Sequence, residues 1–204
     1  AGGLVFLGPG EASAWSLQRI AVAHSRVLQT AGGSGIVLDR VQDALLERNL
    51  VSSNGGEAPC EPDAPGSFGI RAVGQRLVVQ SNEIAGQRLA EDCDAVDGGG
   101  LLVAGTDSLI QYNYTHDNDG PGIVLADADP TRNAVVRYNL LRRDGRRAPR
   151  AGLLSIAAQE SLHIYNNTLL AEGAAALWLG APETASARAC GSATISSPGR
   201  PAAR

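Results

Sequence analysis

The sequence predicts an all-β chain wound as a right-handed parallel β-helix, a solenoid of about six rungs, and three observations carry that expectation. A short motif, an aliphatic residue three places before an Asn, returns along the chain. A second strand-like run opening on a small residue follows each copy. The apolar residues in both runs recur with period two, which is the period of strands and not of helices.

The clear copies of the motif are Leu46-Glu47-Arg48-Asn49, Val79-Gln80-Ser81-Asn82, Ile110-Gln111-Tyr112-Asn113, Val136-Arg137-Tyr138-Asn139 and Ile164-Tyr165-Asn166-Asn167, with a weaker one at Val22-Ala23-His24-Ser25. The second runs open at Gly35, Gly69, Gly100, Gly122, Gly152 and Ala176. Two short strands per repeat are expected. The steps between residues 25, 49, 82, 113, 139 and 167 are 24, 33, 31, 26 and 28, so loops of variable length must sit at fixed corners. They fall mostly after the Asn: from that anchor to the next Gly the spacing varies from 9 to 20, against 13 to 17 from Gly to anchor.

Three columns are apolar throughout or nearly so, and are assigned to inner walls. Three before the anchor stand Val22, Leu46, Val79, Ile110, Val136 and Ile164; two after it stand Val27, Val51, Ile84, Thr115, Leu141 and Leu169; one after the Gly stand Ile36, Ile70, Leu101, Ile123, Leu153 and Leu177. The column two before the anchor is mostly polar and is assigned outward. Asn49, Asn82, Asn113, Asn139 and Asn167 then stack at one corner as a hydrogen-bonded ladder, because Asn tolerates the left-handed backbone of a sharp bend. A leucine-rich solenoid also repeats an Asn, but its leucine frame is missing and the intervening segments are rich in Gly, Asp and Pro.

At the front, Gly3-Leu4-Val5-Phe6 has the form of the second strand of a further rung, and from Pro182 onward the columns fade. Residues 1–182 are therefore read as rungs and 183–204 as a frayed end or linker. With no Met and strands at its opening, the chain is expected to be a fragment truncated at both ends.

Composition removes several kinds of chemistry. The formal charge of −4 is spread over the chain with no basic stripe, so no nucleic acid or anionic membrane surface is expected as a partner. All 17 cationic residues are Arg, which excludes a lysine base or Schiff base and leaves Arg or one of His24, His116 and His163 for any cationic role. No apolar run approaches the 18 or so residues of a membrane span.

With rungs about 4.8 Å apart, equal columns become neighbours in space. Three after the anchor this sets His116 beside Arg142, and one place further Asp117 beside Arg143, an expected ion pair. The acidic loop Glu91-Asp92-Cys93-Asp94-Ala95-Val96-Asp97 leaves the preceding rung at the same corner. His116, Arg142, Asp94 and Asp97 are the catalytic candidates, and Asp117, Arg143 and Asp92 the candidates for holding substrate. Paired carboxylates suit acid and base roles in glycoside hydrolysis. The same column logic yields a plainer reading, in which His116, Asp117, Arg142 and Arg143 form a solvated ion-pair face, while Asn118, Asp119 and Asp144 are turn residues. His24 and His163 are set aside as structural. Tyr112 and Tyr138 share a column and are expected to stack.

Cys60 and Cys93 each lie eleven after an anchor Asn, which would bring them within disulfide reach on successive rungs, consistent with an oxidising, secreted setting. Cys190 is left unpaired.

The stretch Ile110-Gln111-Tyr112-Asn113-Tyr114-Thr115-His116-Asp117-Asn118-Asp119-Gly120-Pro121-Gly122-Ile123, with Val136-Arg137-Tyr138-Asn139, Asp144-Gly145-Arg146 and Ile164-Tyr165-Asn166-Asn167-Thr168, resembles the repeats of bacterial secreted right-handed β-helix proteins of the pectate-lyase-like superfamily. The resemblance is best over about residues 75 to 180. It implies a protein secreted or held at the cell surface that handles polysaccharide as a lyase or hydrolase, expected as a monomer, with no cofactor or, for a lyase, Ca²⁺ held by carboxylate oxygens while Arg or His abstracts a sugar proton. The same superfamily contains non-catalytic adhesive rods. The Arg-x-Lys and Gly-His-Gly signatures of polygalacturonases, the Asp-Pro-His-Glu of alginate epimerases and the Trp-x-Asp-His of pectate lyases are missing, and Arg147-Ala148-Pro149-Arg150 matches the lyase Arg-x-Pro-x-x-Arg only in part. Enzyme and structural rod both stay open at this level.

Overall fold

The computed structural model describes residues 3–7, 17–56, 67–89, 98–125, 131–147, 154–157 and 159–180, and all regular structure among them is β. The first turn consists of β1 (Leu4–Leu7), β2 (Leu17–Ala23) and β3 (Arg26–Leu28); the second of β4 (Ile36–Glu47) and β5 (Leu50–Ser52); the third of β6 (Phe68–Gln80) and β7 (Glu83–Ala85). The fourth holds β8 (Gly99–Thr106), β9 (Leu109–Gln111) and β10 (Tyr114–His116), and the fifth β11 (Ile123–Leu125), β12 (Thr131–Arg132), β13 (Val135–Arg137) and β14 (Leu140–Arg142). The sixth holds β15 (Leu154–Ala157), β16 (Gln159–Glu160), β17 (His163–Tyr165) and β18 (Thr168–Leu170), and β19 (Leu177–Gly180) begins a seventh.

Strands pair in parallel with their equivalents in the neighbouring turns, which is the right-handed parallel β-helix expected from the repeat. The turn has three faces where two strands per repeat were anticipated. The short strands after each anchor, β3, β5, β7, β10, β14 and β18, form a six-stranded sheet of their own, and the other two faces merge into a thirteen-stranded sheet because β4 and β6 run through the bend between them. In β4 the register shifts between Leu38 and Val41, and Arg40 has a positive φ at that irregularity.

The core sits inside the coil. Leu46, Val79, Ile110 and Val136 on the second face, Val51, Ile84 and Leu141 on the third, and Ile36, Ile70, Leu101 and Ile123 on the first are all fully buried. One column needs correction. Ile123 pairs with Leu154, and Leu154 pairs with Leu177, so Leu154 and not Leu153 takes the register position of the first column. The Leu153-Leu154 doublet offers two apolar candidates in succession, and it follows the segment whose length varies from turn to turn. Spacing alone therefore leaves the register one residue adrift, and a slip of one residue exchanges the inner and outer faces.

Each bend is made by one residue in the left-handed region, repeated from turn to turn. Asp43, Arg76, Asp107, Asn133 and Ser161 do so between the first and second faces; His24, Arg48, Ser81, Tyr112, Tyr138 and Asn166 between the second and third; Gln29, Ser53, Asp117 and Arg143 after the third. A non-glycine residue there costs roughly 1–2 kcal/mol. The cost is offset because the bend does not interrupt pairing with the next turn: the N–H of Arg48 donates to Gln80 C=O, that of Ser81 to Gln111 C=O, and that of Asp117 to Arg142 C=O.

The Asn ladder forms as expected, but it stands directly after the second bend: the left-handed φ falls on the residue before each Asn and not on the Asn itself. Asn113 Oδ1 accepts from the Asn82 backbone N–H at 3.1 Å and from Asn82 Nδ2 at 3.0 Å, while Asn113 Nδ2 donates to Val79 C=O at 2.9 Å and to Asn139 Oδ1 at 3.0 Å. The same pattern links Asn49 to Asn82 and Asn139 to Asn167. Asn49, Asn82, Asn113 and Asn139 are buried, so an amide removed here leaves donors and acceptors that water cannot reach. Asn113→Ala should lower the unfolding free energy by about 3–5 kcal/mol, seen as an earlier urea midpoint. A loss smaller than about 1 kcal/mol would show that the ladder follows from the coil without holding it.

Candidate functional site

The third face carries its outward side chains beside the bend that follows it, and there His116, Asp117, Arg142 and Arg143 come together. β10 and β14 pair in a register that sets His116 next to Arg142. The bonds of the imidazole go elsewhere: Nδ1 lies 2.8 Å from Asp117 Oδ2, Nε2 lies 3.4 Å from Glu83 Oε1, and the ring stacks on Tyr114 with centroids 4.3 Å apart. The Asp117–Arg143 pair forms across turns as anticipated, with Nη2 donating to Oδ2 at 2.9 Å and Nε 2.9 Å from Oδ1. Arg146 adds a bond from Nη1 to the Asp117 carbonyl at 3.2 Å.

Partial burial pushes the Asp117 carboxyl up, and the bonds and charges of His116 and Arg143 outweigh this, holding it below the ordinary carboxylate range. Asp117 is therefore a fixed negative charge clamped between two partners. Arg142, by contrast, makes no side-chain hydrogen bond or ion pair among the described residues. It is the available cation of the cluster. Glu83, which the sequence reading did not select, enters because β7 pairs with β10 one turn earlier.

On the other side of the Asn ladder the outward column of the second face is a continuous polar chain. Gln80 Nε2 donates to Glu47 Oε2 at 3.0 Å, Gln111 Nε2 to Gln80 Oε1 at 2.9 Å, Arg137 Nε to Gln111 Oε1 at 2.9 Å, and Arg137 Nη1 to the Tyr165 hydroxyl at 3.0 Å. At the adjoining bend Tyr112 and Tyr138 stack as expected, centroids 5.2 Å apart and planes 6° from parallel, and both are exposed. Tyr165 meets Tyr138 edge-on at 6.2 Å. Together the two faces present an aromatic and hydrogen-bonding ridge flanked by guanidinium groups. His24 and His163 are exposed and take no part in it.

Stacked parallel turns, a buried amide at one bend and three inward apolar columns are the marks of one known family, and the family model described as "Right handed beta helix region" matches residues 11–187. The chain belongs to the right-handed β-helix family. Comparison with curated proteins and with solved structures gives no match in either case. Membership fixes the coil, and a β-helix of this kind is compatible with polysaccharide-active and with non-catalytic roles. Among the described residues no helix is long and apolar enough to cross a membrane, and no three His, Cys, Asp or Glu side chains converge as a metal-binding set. Asp92, Asp94, Asp97, Cys60 and Cys93 lie outside the described residues, as do Cys190 and residues 183–204.

Two of the residues read as turn formers have a different role in this β-helix. Asn118 and Asp144 are buried members of a second ladder, Asn54-Gln87-Asn118-Asp144, one on each of four successive turns. Gln87 N–H donates to Asn118 Oδ1 at 2.9 Å, and Asn118 donates to Asp144 Oδ1 from its backbone N–H at 3.2 Å and from Nδ2 at 2.7 Å. Thr115, the polar member of an inner apolar column, donates from Oγ1 to Asp144 Oδ2 at 2.8 Å. Asp119 does act in the bend, its Oδ2 accepting from Leu89 N–H at 3.1 Å. The second ladder also accounts for the recurring Gly: a Cβ on Gly35 would stand 2.8 Å from Asn54 Nδ2, and one on Gly122 would collide with Asp144 Oδ2 and Thr115 Oγ1. Four successive turns close by packing a polar side chain, Asn54, Gln87, Asn118 or Asp144, against the glycine that opens the turn.

Burial drives the Asp144 carboxyl up to about 6 from 3.8, against the bonds from Thr115 and Asn118 that favour the anion. Its folded value exceeds its unfolded one, so the folded state binds the proton more tightly, and this contribution to stability is full below pH 4 and is lost as pH rises through about 6. Asp144→Asn keeps an acceptor for Asn118 and gives Thr115 a donor in place of an acceptor, which its hydroxyl can accommodate. Relative to the wild type, this variant should gain on the order of 2 kcal/mol in unfolding free energy between pH 4 and pH 7.5. Parallel pH profiles for the two proteins would refute the assignment.

Proposed function

We propose that this β-helix handles a polysaccharide lying in a shallow groove along the stacked turns, as a secreted or cell-surface protein of the polysaccharide lyase or glycoside hydrolase type. The observation that carries the reading is the state of the third-face cluster: Arg142 has no partner among the described residues, whereas its neighbours Asp117, Arg143 and His116 are mutually bonded, and Tyr114 stacked on His116 supplies an apolar surface beside it. An unpaired guanidinium on the strand beside a fixed carboxylate and an aromatic face is suited to the hydroxyl and carboxylate groups of a sugar chain. In this reading Arg142 and His116 do the chemistry with Asp94 and Asp97, Asp117, Arg143 and Asp92 hold substrate, and a lyase would draw on Ca²⁺ through the acidic loop. The described residues supply no complete set for that ion.

One observation favours the second reading, a non-catalytic adhesive or structural rod: both ring nitrogens of His116 already face carboxylates. Incubation of the whole protein with acidic and neutral polysaccharides, with and without EDTA, separates the two. A gain in unsaturated-product absorbance identifies a lyase, and new reducing ends alone a hydrolase. Arg142→Ala, which removes no bond seen in the fold, should lower turnover at least tenfold with an unchanged urea midpoint. Binding without turnover supports the rod, and neither binding nor turnover on any polysaccharide overturns the proposal.

A further inference from the structure

The second bend places one outward residue per turn in a single column, His24, Arg48, Ser81, Tyr112, Tyr138 and Asn166, each with φ between 51° and 56°. Ser81 carries the smallest side chain of the six. Tyr138 stands one rung below Tyr112 with its ring 5.2 Å away and parallel, so the lower side of Tyr112 is covered. One rung above, the column offers only Ser81, and above that the exposed guanidinium of Arg48, which makes no hydrogen bond or ion pair among the described residues. Two rung spacings of about 4.8 Å separate Arg48 from Tyr112 along the stack, and the place between them corresponds to one missing ring.

We infer that this step is a subsite for a single pyranose ring, which takes the position a side chain would occupy at residue 81, its C–H face on Tyr112 and its opposite side under Arg48. The inference rests on the polysaccharide reading and adds where one sugar is gripped. The surroundings suit a hydroxyl-bearing ring. Gln80 and Gln111 line the second-face side, and after their bonds to Glu47 and to each other each amide keeps an unused N–H. Glu83 borders the other side with a carboxylate oxygen beyond the one facing His116. The interval is the one at which the protein already stacks its own rings, and the exposed Tyr112 face is wide enough to hold a ring without movement of the backbone.

The test fills the space. Ser81→Tyr adds a ring where two neighbours in the column already carry one at the same backbone angle, φ 55° at Ser81 against 56° and 54° at Tyr112 and Tyr138, so the coil is retained. Binding of cellohexaose and of hexagalacturonate to the whole protein is measured by calorimetry, with tyrosine ring signals followed by NMR. The expected result is binding of one or both by the wild type with a shift of the Tyr112 signal, at least tenfold weaker binding by Ser81→Tyr and by Tyr112→Ala, and no more than a threefold change in Ser81→Ala, which keeps the space. If the wild type binds and Ser81→Tyr binds equally well, the subsite is wrong while the polysaccharide reading stands. If Ser81→Ala loses as much as Ser81→Tyr, the hydroxyl and not the space was responsible, and the inference fails. If the wild type binds neither hexasaccharide nor any longer polysaccharide, both readings fall together.

Discussion

The structure depends on one requirement: a backbone that bends sharply three times per turn must still pair every buried N–H and C=O with the turn above or below. Strands meet it by parallel pairing. Bends meet it in two ways, through left-handed residues whose N–H groups reach the next turn, and through side-chain amides that stand in for peptide groups at the corners. A primary amide suits this place because it carries both a donor and an acceptor, so each Asn can bond in both directions along the stack and propagate the pattern. A hydroxyl or a carboxylate can end such a row but continues it less well.

The second ladder shows this difference in one molecule. Asn54, Gln87 and Asn118 extend it, and Asp144, which in its charged form only accepts, receives bonds from Asn118 and Thr115. The equivalent position of the following turn is Glu172, which is exposed. The row of amides thus ends on a buried acid, and that acid makes the stability of this region respond to pH. Gly35, Gly69, Gly100 and Gly122 belong to the same device, since each gives up its side-chain volume to the polar group that closes its turn.

Much of this was legible in the sequence because the signals were vertical. The Asn ladder, the inner columns, the Tyr112–Tyr138 stack and the Asp117–Arg143 pair all follow from counting to equal positions on successive turns. What escaped had one of two physical causes. Where the variable segment intervenes, counting loses its origin and points to Leu153 in place of Leu154. Where a polar residue beside Gly has a ready local explanation, its long-range role is hidden: Asn118-Asp119-Gly120 and Asp144-Gly145 have the composition of turns, and only Gln87, a poor turn former in the same column, pointed to a buried row. Glu83 reaches His116 from two residues before Ala85, the register partner of His116, an oblique contact that counting to equal positions does not give.

The same geometry explains why the coil declares itself while its chemistry does not. Every inward or ladder position is constrained by the residues above and below it, so it repeats. An outward position is constrained only by the local backbone, which at the second bend accepts His, Arg, Ser, Tyr and Asn at nearly the same φ. Function is therefore written in columns that need not repeat, and it has to be found by asking which outward groups their vertical neighbours leave unengaged. Among the described residues these include the guanidinium groups of Arg142 and Arg48 and the upper face of Tyr112, on or beside the two faces that flank the Asn ladder. The hydrogen-bonded Asn row thus lies beneath the surface where a sugar chain would have to be held in register.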